Sequence, residues 1–109
     1  MPEKTPTPWY LHQSRDLGNA YLHFRNAVKE KSVLDDKTRE LLMLALACVF
    51  RCPHCTEDHI RGAMESGASK QEIAETLLLT AYEGAGTQLA WKKELYERYL
   101  GRDSESAES

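Results

Sequence analysis

Two cysteines and two histidines crowd into one short stretch, Cys52-Pro53-His54-Cys55-Thr56-Glu57-Asp58-His59. A C-x-x-C pair is a ready dithiol. Its sulfurs can ligate a metal as thiolates, or carry two electrons by making and breaking a disulfide. Pro53 suits the first position of a helix and blocks continuation of the helix before it, so a helix is expected to start there with Cys52 as its N-cap. The Cys52 sulfur would then face the unsatisfied N–H groups and the positive dipole end of that helix, which favours thiolate over thiol. Cys55 falls in the same turn, close enough to bridge to Cys52. His59 follows at i+4 on the same helical face, placed to take the Cys55 proton or to pair with its thiolate. His54 adds a second titratable group between the two sulfurs.

Other chemistries fit the same letters less well. Cys48, Cys52 and Cys55 spell C-x3-C-x2-C, the spacing that holds an iron–sulfur cluster in radical S-adenosylmethionine enzymes. Those enzymes use a much longer βα barrel, and Cys48 here lies in an apolar helical run where a packing role accounts for it. Zinc on Cys52, Cys55 and a histidine is chemically sensible, but structural zinc usually takes four ligands from two separated pairs, and there is no second C-x-x-C. Cys-Pro-His-Cys also occurs in thioredoxin-fold oxidases, which need a βαβ unit; no alternating strand pattern is present. The residues therefore favour a dithiol redox centre without metal or cofactor, with a non-catalytic metal-binding module as an alternative.

The elements that must position these groups read as helices almost throughout. The chain of 109 residues is one domain by length, and its net charge of −3 comes from interleaved acids and bases. No run of Lys or Arg argues for nucleic acid or an anionic membrane, and no stretch is apolar for long enough to span one. The start lacks a hydrophobic leader core, so a cytoplasmic location with reduced thiols is expected. Residues 1–12 read as a proline-rich extended segment. Leu17, Tyr21, Phe24 and Val28 then mark one face of a helix capped by Ser14 or Asp16. Asp35-Asp36 precede a run, residues 41–47, that is apolar on nearly every side and reads as a central, largely buried helix. The cysteine helix should end near Ser66-Gly67. Ser69 and Glu72 form a capping box for a helix that turns Ile73, Leu77 and Thr80-Ala81 inward. Gly84-Ala85-Gly86 is expected to interrupt it, with Thr87 opening a last helix through Trp91, Leu95 and Tyr99 to Gly101. The Glu57-Asp58 pair is assigned to its helix N-terminus, and residues 102–109 to a disordered tail. The expected fold is an all-α, compact helical domain of about five helices.

Glu40, eleven intervening residues and then C-x-H-C-x3-H is a pattern in which this chain resembles the carboxymuconolactone decarboxylase family, in its alkylhydroperoxidase D-like branch. The similarity spans roughly residues 33–98. Decarboxylase members generally lack the cysteine pair, so the pair points to the redox branch. The resemblance implies an all-α oligomer, a trimer or hexamer. It implies a peroxidase or dithiol–disulfide oxidoreductase acting on a hydroperoxide or disulfide, with a dithiol reductant that can be a lipoyl-bearing protein. By position, Cys55 would attack, Cys52 would resolve, Glu40 and His59 would relay protons, and His54 would support the thiols. A lactone enzyme of decarboxylase type is the alternative. The cap argument favours Cys52 as the more acidic thiol, which leaves the order of attack open. Geometry adds a condition. One straight helix over residues 40–51 puts Glu40 about 18 Å from Cys52 along its axis. Glu40 then reaches the site only if that helix breaks, if the next helix returns His59 toward it, or if it serves a neighbouring subunit.

Overall fold

Capping chemistry sets where each helix starts and stops. The computed structural model describes residues 7–101, in two compact units that meet between Asp35 and Asp36. Residues 1–6 of the extended segment and the tail at 102–109 lie outside the described residues. Six helices and no strand occur among the described residues, and five of the helices run to nine residues or more. The expected all-α class is what the chain adopts.

In the first unit, α1 (Trp9–Gln13) is a short helix where the sequence suggests extended chain. Ser14 explains it. Its N–H bonds Tyr10 O at 3.0 Å to close α1, and its hydroxyl accepts the Leu17 N–H at 3.2 Å to cap α2 (Arg15–Glu30). The Tyr10 ring meets Tyr21 edge-on, with 5.2 Å between centroids. The Leu17/Tyr21/Phe24/Val28 stripe forms as expected, yet all four side chains remain exposed.

In the second unit, α3 (Asp36–Val49) packs against α4 (Pro53–Glu65) and α5 (Lys70–Ala90), and α6 (Lys92–Leu100) follows. The core is Leu44, Ala63 and Ile73, one from each of the first three helices, with Leu41, Cys48, Ile60 and Ala68 packed around them. Complete burial of a leucine such as Leu44 contributes roughly 1.5–3 kcal/mol. The expectation that α3 is largely buried fails. Only Leu44 and Ala47 are buried, whereas Leu42, Leu46 and Val49 are half or more exposed. The run is apolar on all sides, but α4 and α5 leave part of its circumference open. Likewise Ile73 is buried while Leu77 and Ala81 of α5 are exposed.

The turn from α3 to α4 contains no spare residue. Arg51 N–H bonds Cys48 O (3.1 Å) and Cys52 N–H bonds Ala47 O (3.0 Å), the paired bonds of a Schellman ending. The left-handed position of that motif is occupied by Arg51, at φ 57°, where glycine is usual. A side chain there costs about 1–2 kcal/mol. At the other end of α4 the same motif recurs with Gly67 at φ 95°. Gly67 N–H bonds Met64 O, and Ala68 N–H bonds Ala63 O.

Gly84-Ala85-Gly86 does not interrupt α5, and Thr87 does not begin a new helix. Its hydroxyl instead bonds back to Gly84 O at 2.7 Å within the continuing helix. Each interior glycine costs about 1 kcal/mol relative to alanine, and the helix-forming neighbours outweigh that. The break falls at Trp91, and Gly101, at φ 84°, closes α6 as expected.

The capping box at the start of α5 is complete: Glu72 N–H to Ser69 Oγ at 3.0 Å, and Ser69 N–H to Glu72 Oε1 at 2.8 Å. Lys37 Nζ reaches Glu72 Oε2 at 3.0 Å and ties α3 to α5. The Ser69 N–H, then Lys37, hold the Glu72 carboxyl below its ordinary value. A depressed folded-state pKa contributes stability above the ordinary carboxylate value and loses it as pH falls through the folded one. Glu72→Ala should therefore lower the melting temperature at neutral pH, and the gap from wild type should narrow as pH falls to about 3 in thermal melts followed by circular dichroism. A gap that stays constant with pH would count against this role.

Candidate functional site

Cys52 ends one helix and caps the next. Its backbone N–H closes α3, and its sulfur accepts the Cys55 N–H at 3.2 Å as the N-cap of α4. Thr56 fixes the cap from the other side, bonding Cys52 O through both its N–H and its hydroxyl at 2.9 Å each. The Cα atoms of Cys52 and Cys55 are 5.2 Å apart, within ordinary disulfide range, and the two sulfurs are bonded. Pro53 stands at the start of α4, as the sequence suggests.

Glu40 reaches the cysteine helix by the second of the three routes. α3 is unbroken, α4 returns along it, and His59 Nδ1 lies 2.9 Å from Glu40 Oε1 in the same chain. Both side chains are shielded, with 13 % of Glu40 and 26 % of His59 exposed. An ionised carboxylate only accepts, so Nδ1 carries the hydrogen and Nε2 is left with the lone pair in the neutral ring. A carboxylate that orients an imidazole in this way makes the far nitrogen a base of fixed direction. His59 is four residues beyond Cys55, one helical turn along the same face.

Room for this pair comes from Gly62, which sequence reasoning missed. A Cβ at that position would come 2.5 Å from Glu40 Oε1 and 2.8 Å from its Cδ. A glycine inside a helix, three residues past a candidate histidine and ahead of the helix C-cap, was the available signal. His54 sits elsewhere. It is 85 % exposed, and Nε2 lies 3.2 Å from Asp58 Oδ2. Glu57 and Asp58 fall beyond the first turn of α4 and pair with Arg61, at 3.2 and 3.6 Å, rather than serving the helix N-terminus.

A shallow, solvent-open cavity of about 520 Å³ lies beside Cys52, lined also by Cys48, Pro53, Thr56 and Ile60, with the charged Arg51 and Glu57 completing it. Cys48 is a free thiol that also packs against the core, in keeping with a structural role. No cluster of three or more metal-ligating side chains occurs among the described residues. The arrangement offers a dithiol at a helix N-terminus, an oriented imidazole one turn away and an apolar approach to the sulfur.

Gly62→Ala tests the geometry directly. Alanine favours the helix by about 1 kcal/mol, which offsets part of the clash, so the protein should stay folded. The Glu40 carboxylate should be displaced. Long-range 1H–15N spectra should show His59 protonated on Nδ1 in the wild type and a mixture of tautomers in the variant. An unchanged His59 signal would show that Glu40 does not set the ring.

Comparison with known proteins bears on the family and the fold. The profile of the carboxymuconolactone decarboxylase family matches residues 15–95. The chain is 34 % identical over 74 residues to "Uncharacterized protein 4 in cox locus" of Paracoccus denitrificans, covering 68 % of this chain and 67 % of that one. It superposes with a TM-score of 0.73 on a crystal structure of a protein from Methanobacterium thermoautotrophicum, at 25 % identity over 80 % of this chain and 98 % of the other. With most of its length matched and the helical fold shared, the chain belongs to the carboxymuconolactone decarboxylase family.

Proposed function

We propose that the protein is a thiol-dependent peroxidase that reduces hydroperoxides through Cys52 and Cys55. The supporting observation is the conjunction of a bonded C-x-x-C pair at a helix N-terminus with a Glu40–His59 dyad one turn along. One thiolate of the reduced pair attacks the terminal oxygen of the hydroperoxide. The O–O bond breaks, leaving a sulfenic acid and an alkoxide that takes up a proton to become the alcohol. The second thiol attacks the sulfenic sulfur, the disulfide forms and water departs. Two thiols and one hydroperoxide thus yield one disulfide, one alcohol and one water. His59 Nε2 accepts the proton of the attacking thiol and returns it to the leaving oxygen, held in tautomer by Glu40. A dithiol reductant, such as a lipoyl-bearing protein, restores the pair by exchange. His54 contributes a titratable group near the pair and acts outside the dyad.

Intact-mass analysis with peptide mapping tests this. Reduced protein treated with one equivalent of organic hydroperoxide should lose two hydrogens, mapped to a Cys52–Cys55 bridge. Cys52→Ser and Cys55→Ser should each abolish turnover, and a sulfenic acid trapped in only one of them identifies the attacking thiol. Activity on a lactone substrate that survives loss of both cysteines would replace this reading with decarboxylase-type chemistry.

The active unit is a homo-oligomer in this proposal. A groove of about 680 Å³ runs between α3 and α5, walled by Leu41, Leu42, Leu46, Val49 and Leu79, of which Leu42, Leu46, Val49 and Leu79 are half or more exposed. These exposed apolar side chains along one groove support burial against a second copy of the chain. Light scattering at micromolar concentration should give a mass three or six times that of the chain. A monomer would refute the assembly while leaving the thiol chemistry standing.

A further inference from the structure

We propose that the cavity beside Cys52 selects hydroperoxides carrying an anionic group on an apolar chain, of the fatty-acid type, with Arg51 as the residue that holds the carboxylate. As a statement of substrate class, this rests on the peroxidase reading above.

Two independent observations place Arg51 in this role. It occupies the left-handed position of the α3 ending with φ 57°, the only non-glycine residue at positive φ among the described residues. A strained arginine at a position suited to glycine calls for a reason in its side chain. It also lines the cavity that contains Cys52, and among the described residues it forms no ion pair. The other charged group at that edge, Glu57, has its carboxylate engaged by Arg61 at 3.2 Å. At that edge Arg51 is the cation without an ion-pair partner among the described residues. The wall below it is apolar, built from Cys48, Pro53 and Ile60. The hollow, about 520 Å³ and open to solvent, has room for an alkyl chain along its apolar lining. A cation at the rim of an apolar hollow complements an amphipathic anion, and a planar guanidinium matches a carboxylate with two parallel hydrogen bonds. An apolar chain in the hollow brings a hydroperoxide to Cys52, the member of the pair that lines it, while the carboxylate stays with Arg51 at the solvent edge.

The decisive experiment separates binding from turnover. Full-length protein with the disulfide formed is titrated with octanoate and with methyl octanoate, followed by calorimetry and by amide shifts of Arg51, Cys52 and Ile60. The acid should bind roughly five- to tenfold more tightly than the ester, as one partly solvated charge-assisted contact allows. Arg51→Gly, which also relieves the backbone, should keep the fold and erase that preference. Arg51→Lys should retain most of it. Equal binding of acid and ester, or a preference that survives in Arg51→Gly, overturns the proposal. In turnover, the ratio of kcat/KM for a fatty-acid hydroperoxide to that for its methyl ester should fall by the same factor in Arg51→Gly. If the wild type reduces neither hydroperoxide, the peroxidase reading falls, and the acid-over-ester preference in the titration alone decides whether Arg51 is an anion site.

Discussion

The site depends on a turn that wastes no residue. Cys52 closes α3 with its backbone N–H and opens α4 with its sulfur, so the two helices reverse direction through Phe50, Arg51 and Cys52 alone. The α3–α4 hairpin sets the spacing of the motif. From the turn, α3 runs back nine residues from Val49 to Glu40, about 14 Å. α4 runs forward seven residues from Cys52 to His59, about 10 Å. Two antiparallel helices of those lengths bring Glu40 and His59 to nearly the same level, where they bond at 2.9 Å. Eleven residues before the first cysteine and three after the second are therefore distances measured along a hairpin.

Close approach across that hairpin then becomes the limiting requirement. A carboxylate and an imidazole must meet between two packed helices, and the α4 backbone yields the space at Gly62. Shielding follows from the same packing, since the pair lies alongside the Leu44–Ala63 contact that holds α3 to α4. The dyad is oriented by the core, and the core is small. Misplacing either helix would cost the dyad its geometry before it cost the fold its helices.

Local signals were the legible part of this chain. Pro53, the Ser69/Glu72 box, Gly67 and Gly101 each act within one turn, and each marks a helix end where the sequence places it. Signals that depend on competition between neighbours were harder to read. Gly84 and Gly86 weaken α5, yet Thr87 bonds back into the helix and the residues around them carry it through to Ala90. Of the site, the cysteines and His59 declared themselves by spacing. Glu40 did so only through the resemblance, because its contact with His59 needs the direction of the second helix. Arg51 gave no signal at all, since a Schellman ending normally announces itself with glycine. The apolar run of α3 showed that its faces avoid water, but not which of them this chain covers by itself.

Helix capping and the proposed redox chemistry would share one interaction at Cys52. In the bridged pair its sulfur is neutral and accepts the Cys55 N–H at 3.2 Å. In the reduced pair a thiolate at the same place would accept that bond as an anion, which strengthens it, and would gain from the helix dipole as well. Both effects stabilise the reduced form relative to the bridge. They make the disulfide a better electron acceptor, so its re-reduction by a dithiol is favoured at equilibrium. A thiolate held in this way would be the nucleophile that the proposed peroxidase chemistry requires. In the proposed chemistry, the residue that ends α3 and starts α4 would thus also favour the reduced state of the pair.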